Sequence, residues 1–327
     1  MNRDEIQQQC HELALDIPTV AGAAQPALRI RARRAPAGEV LGESRFGGRP
    51  DLAPEAAWPS WDATNWFHGQ IAYAKKTIDE CFKGQGSPYW LDFIERINAD
   101  LKTPVRPLAF VAQLNLADLD GYSLSLPLPS EGLLSFFYDL RTSPGDFDPT
   151  AQDAWRVLFT PPGTHLARRD DPFASEQRSP HDDRPEPDEA AMTFEQIWTL
   201  PDVIASRDTE LASWTSAAYG ALLEAARGEL PNHQVTGAPT QVQGDMAWGC
   251  QLVSSGVYCG TSPTLTTAER AFHEREARQW RLLFQVDSDS ETLGVSWGDA
   301  GLLYWWIREP DVLSRRFDLA RGAYQCS

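Results

Sequence analysis

The chain has 327 residues, 42% of them hydrophobic and 12 of them tryptophan, enough for one large buried core or two ordinary ones, which excludes a disordered or fibrous polymer. Its net charge of −17 opposes binding to nucleic acid and to anionic membranes and favours encounter with a basic partner at low salt. No run reaches the roughly 18 apolar residues of a membrane span, and Met1 to Glu5 lead into polar glutamines rather than an apolar signal segment, so a cytoplasmic protein is expected.

From the start of the chain, Ile6, Cys10 and Leu13 recur at helical spacing over residues 2–16, and Pro18 is expected to stop that helix. Leu28, Ile30 and Ala32 then alternate with Arg29, Arg31 and Arg33, the pattern of a half-exposed strand whose basic face pairs with acidic surface groups. Residues 46–61 are rich in glycine and proline and read as turns, with Arg49 between Gly48 and Pro50. Residues 62–83 and 88–101 read as helices, the second with Tyr89, Phe93, Ile94 and Ile97 on one stripe. All four lysines, Lys75, Lys76, Lys83 and Lys102, fall in this part of the chain.

Leu108 to Asn115 is an apolar strand with Gln113 and Asn115 on one face, and Gly132 to Tyr138 is a second one after a polar loop. From Pro161 to Glu189 apolar residues almost vanish, which predicts a flexible acidic linker or long surface loop. Asp208 to Gly228 follows as a helix with glycine at its C-terminal stop, and Thr266 to Gln279 as another, opened by a Thr266-x-x-Glu269 capping box. That helix feeds the densest stretch of the chain, Trp280 to Ile307. Here Gln285 and Asp287 share a strand face, Asp287 to Ser290 form a turn, and Leu302 to Ile307 is too apolar on both faces for an edge strand.

These pieces repeat. Gly48-Arg49-Pro50, the Gln113/Asn115 strand and Gly132 to Tyr138 recur in order as Gly237-Ala238-Pro239, the Gln285/Asp287 strand and Gly301 to Ile307. The expected fold is therefore α+β, with a β-rich core built from two diverged repeats and covered by helices. Residues 1–160 form the first half with its N-terminal helix, 161–189 the linker, and 190–327 the second half, the two halves packing as one compact unit.

The same residues carry a resemblance. Phe46 to Pro50 with Trp58-Pro59, Pro107 to Asn115, Gly132 to Tyr138, Gln243-Gly244-Asp245, Trp280 to Asp289, Trp297 to Gly301 and Tyr304 to Ile307 are together similar to the YwqG-like family, a bacterial domain of unknown function. The resemblance implies an intracellular α+β protein and brings no established activity. Members near polymorphic-toxin genes imply an immunity-type role for some of them. The chain departs from the pattern at Gly237-Ala238-Pro239 and in its long acidic insert.

No phosphate-binding glycine loop, Gly-x-Ser-x-Gly elbow or His-Glu-x-x-His motif occurs, and the six histidines are isolated in sequence, with His273-Glu274 read as solvated. Cys10, Cys81, Cys250, Cys259 and Cys326 are odd in number and widely spread, the pattern of free thiols. The remaining candidates are Arg49, Gln113, Asn115, Gln243, Asp245, Gln285, Asp287, Asp289 and Asp299. Arg49 suits a carboxylate or phosphate. The Gln/Asp set suits either strand ends and turns or, if the halves converge, a polar ligand or a cation. Asp287-x-Asp289 with Asp299 lacks the glycine and terminal glutamate of an EF-hand, so no metal or cofactor is assigned.

Three functions fit: a non-catalytic cytosolic protein-binding protein, of the immunity type, that neutralises a basic toxin; an enzyme or small-ligand receptor using a Gln/Asp cleft between the halves; and a scaffold that uses the acidic linker. The first is preferred, because the charge and the resemblance both point to it.

Overall fold

A computed structural model describes residues 1–34, 40–83, 87–172, 186–202 and 217–326. Its elements in chain order are α1 (Arg3–Glu12), α2 (Ile17–Ala23), β1 (Gln25–Arg34), β2 (Arg45–Phe46), β3 (Asp51–Leu52), β4 (Ser60–Asp62), α3 (Thr64–Phe82), α4 (Pro88–Asp100), β5 (Val105–Pro107), β6 (Ala109–Asn115), β7 (Leu133–Tyr138), β8 (Trp155–Thr160) and β9 (Ala167–Arg168). There follow β10 (Ala190–Thr199), α5 (Ala217–Arg227), β11 (Gln234–Val235), α6 (Met246–Ser254), α7 (Thr267–Ala277), β12 (Trp280–Asp287), β13 (Leu302–Arg308), α8 (Glu309–Leu313) and β14 (Arg321–Gln325).

Ten strands form one antiparallel sheet in the order β14-β13-β12-β11-β1-β10-β2-β6-β7-β8. The order is palindromic about the β1–β10 pair, which runs from Gln25 opposite Thr199 to Arg34 opposite Ala190. A short strand flanks this pair on each side, β2 or β11, followed by three longer ones. The two outer edges curl towards each other until Gly322 of β14 packs against the indole of Trp155 in β8, so the sheet is nearly closed into a barrel. Together the sheet and the covering helices make an α+β fold.

Both long second strands carry a bulge, between Phe110 and Ala112 in β6 and between Leu282 and Phe284 in β12. The carbonyls of the bulged residues are not orphaned. Val111 O accepts the Gly47 amide at 2.9 Å and Leu283 O accepts the Thr236 amide at 3.2 Å. Each amide comes from a chain reversal with two successive residues at positive φ, Gly47 (+54°) and Gly48 (+69°) or Thr236 (+58°) and Gly237 (+79°). A β-branched threonine is costly there, so surrounding contacts must hold it.

Inside the curled sheet the alternate residues are aromatic. Phe136 lies 4.5 Å from Phe284 and 5.3 Å from Trp305, ring centre to ring centre, and Phe46 lies 6.2 Å from Phe284. The core thus draws β2, β7, β12 and β13 together, and one continuous apolar cluster runs from Leu28 to Ala320. Helices α3 and α4 pack on each other and bury Trp66, Phe67 and Ile97 in the same cluster, with Trp61 of β4 and Arg106 of β5 against the α3 aromatics. Helix α6 sets Met246 and Cys250 against Trp280, Leu282 and Trp306. A satellite core of Ile6, Cys10, Val20, Tyr219 and Leu222 joins α1, α2 and α5.

Several local expectations are met. The capping box forms at Thr266 and Glu269, β13 is buried along both faces between β12 and β14, and Gly228 takes a positive φ just beyond α5. Others are corrected. Pro18 does not simply end a helix; it sits in the first turn of α2, where its missing N–H costs nothing. Arg29 is buried and donates to the carbonyls of Arg227 and Glu229 rather than facing acidic surface groups. Tyr89 is 63% exposed, so of the α4 stripe only Ile97 is fully buried. His273 is buried against Trp248 and Gln251, not solvated. The acidic stretch contains β9, which pairs with β3, while its residues 173–185 and the first part, 208–216, of the predicted 208–228 helix lie outside the described residues. Strand β10 escaped the sequence reading, because its burial alternates only in part. No described helix is long and apolar enough to cross a membrane.

Candidate functional site

The two glutamines have one job each, and it is the same job. Gln113 donates Nε2 to Glu43 O at 2.8 Å and accepts the Asp51 amide on Oε1 at 3.0 Å. Gln285 donates to Asn232 O at 2.6 Å and accepts the Thr240 amide at 2.9 Å. Both side chains are wholly buried, and each ties together the two ends of the reversal that contains β2 or β11. Without them, backbone groups away from water would stay unpaired.

The residues two positions on play matching roles. The Asn115 amide donates to Ser44 Oγ at 2.8 Å, and the Asp287 amide to His233 Nδ1 at 3.1 Å, which puts the ring proton of His233 on Nε2. That nitrogen faces Asp289 Oδ2 at 3.5 Å. Asp287 accepts the Asn232 amide at 2.7 Å, and burial pushes its carboxyl up despite that bond and nearby His233 and Arg29. Burial acts the same way on Asp289, but hydrogen bonds from His233 and the Thr292 amide outweigh it and hold its carboxyl low. Asp299 is exposed in a turn, and Arg49 is exposed and bonded to Asp170 at 3.1 Å. No hydrogen bond among the described residues joins the Gln113 set to the Gln285 set.

Beside Gln113 lies a buried charge cluster. Asp51 meets Arg45 at 2.7 Å and Arg168 at 2.9 Å, and it also accepts from the Gly42 amide and Gln113 Nε2. Burial alone would raise its carboxyl, yet these four donors hold it well below the usual range. The cluster clamps β3 and β9 to β2, and its charges face one another rather than a cavity.

Open space lies elsewhere, on the outer face of β12 to β14. Helices α6 and α7 bound two adjoining grooves that share Asp245 and Trp248 as a dividing ridge. The first, about 340 Å³, is lined by Asp146, Phe147, Gln243, Asp245, Trp248 and Ser262 among others, and among the described residues no basic one lines it. Asp245 caps α6 by accepting the Ala247 and Trp248 amides at 2.9 and 3.3 Å and remains exposed. Asp146 is half-buried at the groove wall, and burial pushes its carboxyl up to about 6. The second groove, about 540 Å³, is walled by α7. Gln243 and Asp245 are thus the predicted site residues that line open space. Asp146, Phe147 and Trp248 were missed, since nothing in sequence links a turn near residue 146 to a helix a hundred residues later. Among the described residues no group of three His, Cys, Asp or Glu is placed to hold a metal ion, and all five cysteines are free.

Residues 44–326 match a family described only as a domain of unknown function, DUF1963, and the chain belongs to that family. No curated protein matches the chain.

Proposed function

We propose that this member of a family without an assigned activity is a non-catalytic, cytosolic protein-binding protein of the immunity type, whose partner is basic. One observation carries the reading: the groove beside Asp245 presents two carboxylates, Asp146 and Asp245, and two aromatic rings, Phe147 and Trp248, with no cation lining it among the described residues. A lysine or arginine side chain fits that chemistry, since it gains two charge partners and a ring face at once. The net charge of −17 would speed its approach. The alternative, a Gln/Asp cleft between the halves, draws little support from Gln113, Gln285 and Asp287, whose polar atoms are spent on backbone.

The reading includes two narrower statements. The halves are diverged copies: the palindromic strand order, the paired bulges and the twin glutamine ties support it. The chain also sits with the YwqG-like proteins within its family, on the motifs quoted above.

The test is calorimetric titration with a Lys/Arg-rich peptide, an acidic peptide and a neutral one, on the wild type and on the Asp146→Asn/Asp245→Asn variant. Only the basic peptide should bind, more weakly at high salt and below about pH 6, where Asp146 takes up its proton. The double variant should lose binding although 44 of the 46 acidic residues remain, which separates the groove from general attraction. Equal binding by wild type and variant, or binding that salt does not weaken, would overturn the proposal.

A further inference from the structure

The larger groove has the opposite chemistry. Arg270, Glu274, Ala277 and Arg278 recur at spacings that place them on one face of α7, and Arg281 follows at the start of β12; all five line the groove. In a chain with 46 acidic residues against 29 basic ones, guanidinium groups are expected to be neutralised by carboxylates. Here they are not. Among the described residues neither Arg270 nor Arg278 has a carboxylate within ion-pair distance, and Arg281 reaches Glu309 at only 3.9 Å.

Two of these side chains, Arg270 and Arg281, rest against neutral groups. Arg270 lies over the ring of Trp248, 5.9 Å from its centre, a cation–π contact with a neutral partner. Arg281 donates to the carbonyls of Arg278 and Trp280, at 2.6 and 3.0 Å. The groove thus sets three guanidinium groups, two of them without an ion pair among the described residues, against two carboxylates. These two are Asp245, whose Oδ1 accepts the α6 amides and whose charge remains, and Glu274, which lies between Arg270 and Arg278 on the same face.

We infer that this groove is a binding site for a small, elongated polyanion bearing phosphoryl or carboxylate groups at both ends. Arg270 and Arg278 leave α7 eight residues apart, about 12 Å along the axis, so a single orthophosphate reaches one end only. Glu274 between them repels a compact anion and leaves the two ends as the points of attachment. The volume of about 540 Å³ suits a small molecule. The site adjoins the cation groove across the shared Asp245–Trp248 ridge but takes its charge from arginines that do not line that groove.

The experiment is titration of the full chain with tripolyphosphate, citrate and orthophosphate in 50 mM salt. Saturable binding of tripolyphosphate or citrate, with orthophosphate at least about tenfold weaker, is expected, the loss of one charge-assisted contact being worth that much. Tripolyphosphate alone would assign a phosphorylated ligand, and both together any oxyanion of that length. Arg270→Gln and Arg278→Gln should each weaken binding about tenfold or more. Both residues are exposed, so the unliganded melting temperature should not move. Arg270→Lys, which keeps the charge but not the planar guanidinium, should also bind more weakly. Asp146→Asn should leave polyanion binding intact, so failure here and failure of the cation groove are told apart. No saturable binding of either polyanion, orthophosphate binding as tight as theirs, or affinity unmoved in both glutamine variants would overturn the inference.

Discussion

Replacing Gln285 by leucine removes the tie across the β11 reversal at nearly constant volume. Leucine fills the buried space but leaves two backbone groups without partners, the Asn232 carbonyl and the Thr240 amide, now bonded at 2.6 and 2.9 Å. Each such orphan costs about 1–3 kcal/mol, so the loss should be about 2–6 kcal/mol, a large part of the roughly 5–15 kcal/mol that holds a domain together. Urea unfolding followed by tryptophan fluorescence would show a lower midpoint with an unchanged slope, because the same surface is exposed. Gln8→Leu, on the exposed face of α1, provides the control and should stay within about 0.5 kcal/mol of wild type. Gln113→Leu should cost more than Gln285→Leu, since it also removes a donor to the buried Asp51 carboxylate. The two amides share no partner, so their effects should add to within about 0.5 kcal/mol. If Gln285→Leu were as stable as the control, the glutamine would not be the tie described here and would be free for another role.

Asp51→Asn should cost about 3–5 kcal/mol, because Arg45 and Arg168 lose the carboxylate that both face in a buried setting. That carboxyl is held low, so its contribution is complete above the ordinary carboxylate range and is lost only as pH falls through its depressed folded value; the gap from wild type should persist from pH 7 down to about 4 in denaturant titrations. Asp146 has the opposite sign. Its folded value of about 6 lies above the ordinary 3.8, so it adds stability at low pH that is lost as pH rises through about 6. Melting temperatures of Asp146→Asn should vary less than those of wild type between pH 4 and 6, and parallel curves would refute the shift. Gly322→Ala would drive a methyl group into the Trp155 indole where β14 meets β8; overpacking of about 1–3 kcal/mol or more should lower the melting temperature, whereas Gly220→Ala, with open space at its Cβ, should not.

Local chemistry was legible in the sequence wherever it decides local structure. Apolar strand patterns with polar residues on one face marked β6 and β12, an apolar run on both faces marked β13, a Thr-x-x-Glu pair marked the start of α7, and Gln113 and Gln285 stood out as polar groups on otherwise apolar strands. What these amides bind was not legible. Their partners are backbone groups 45 to 70 residues away, and a side chain that ties a loop looks in sequence like one that waits for a ligand. The grooves were hidden for the same reason. Asp146 and Asp245 meet only because α6 packs on the outer face of β12 to β14, close to the turn that precedes β8.

The sequence by itself marked helices such as α3, α4 and α7, strands such as β6, β12 and β13, and an acidic charge excess, because periodicity and charge are properties of neighbouring residues. Only the tertiary structure decided that β1 and β10 pair along their length across some 160 residues, that the sheet curls until Trp155 meets Gly322, and that the buried amides are tied to backbone while the open grooves lie outside. Those outcomes depend on which distant surfaces bury each other best, a competition that no local pattern records.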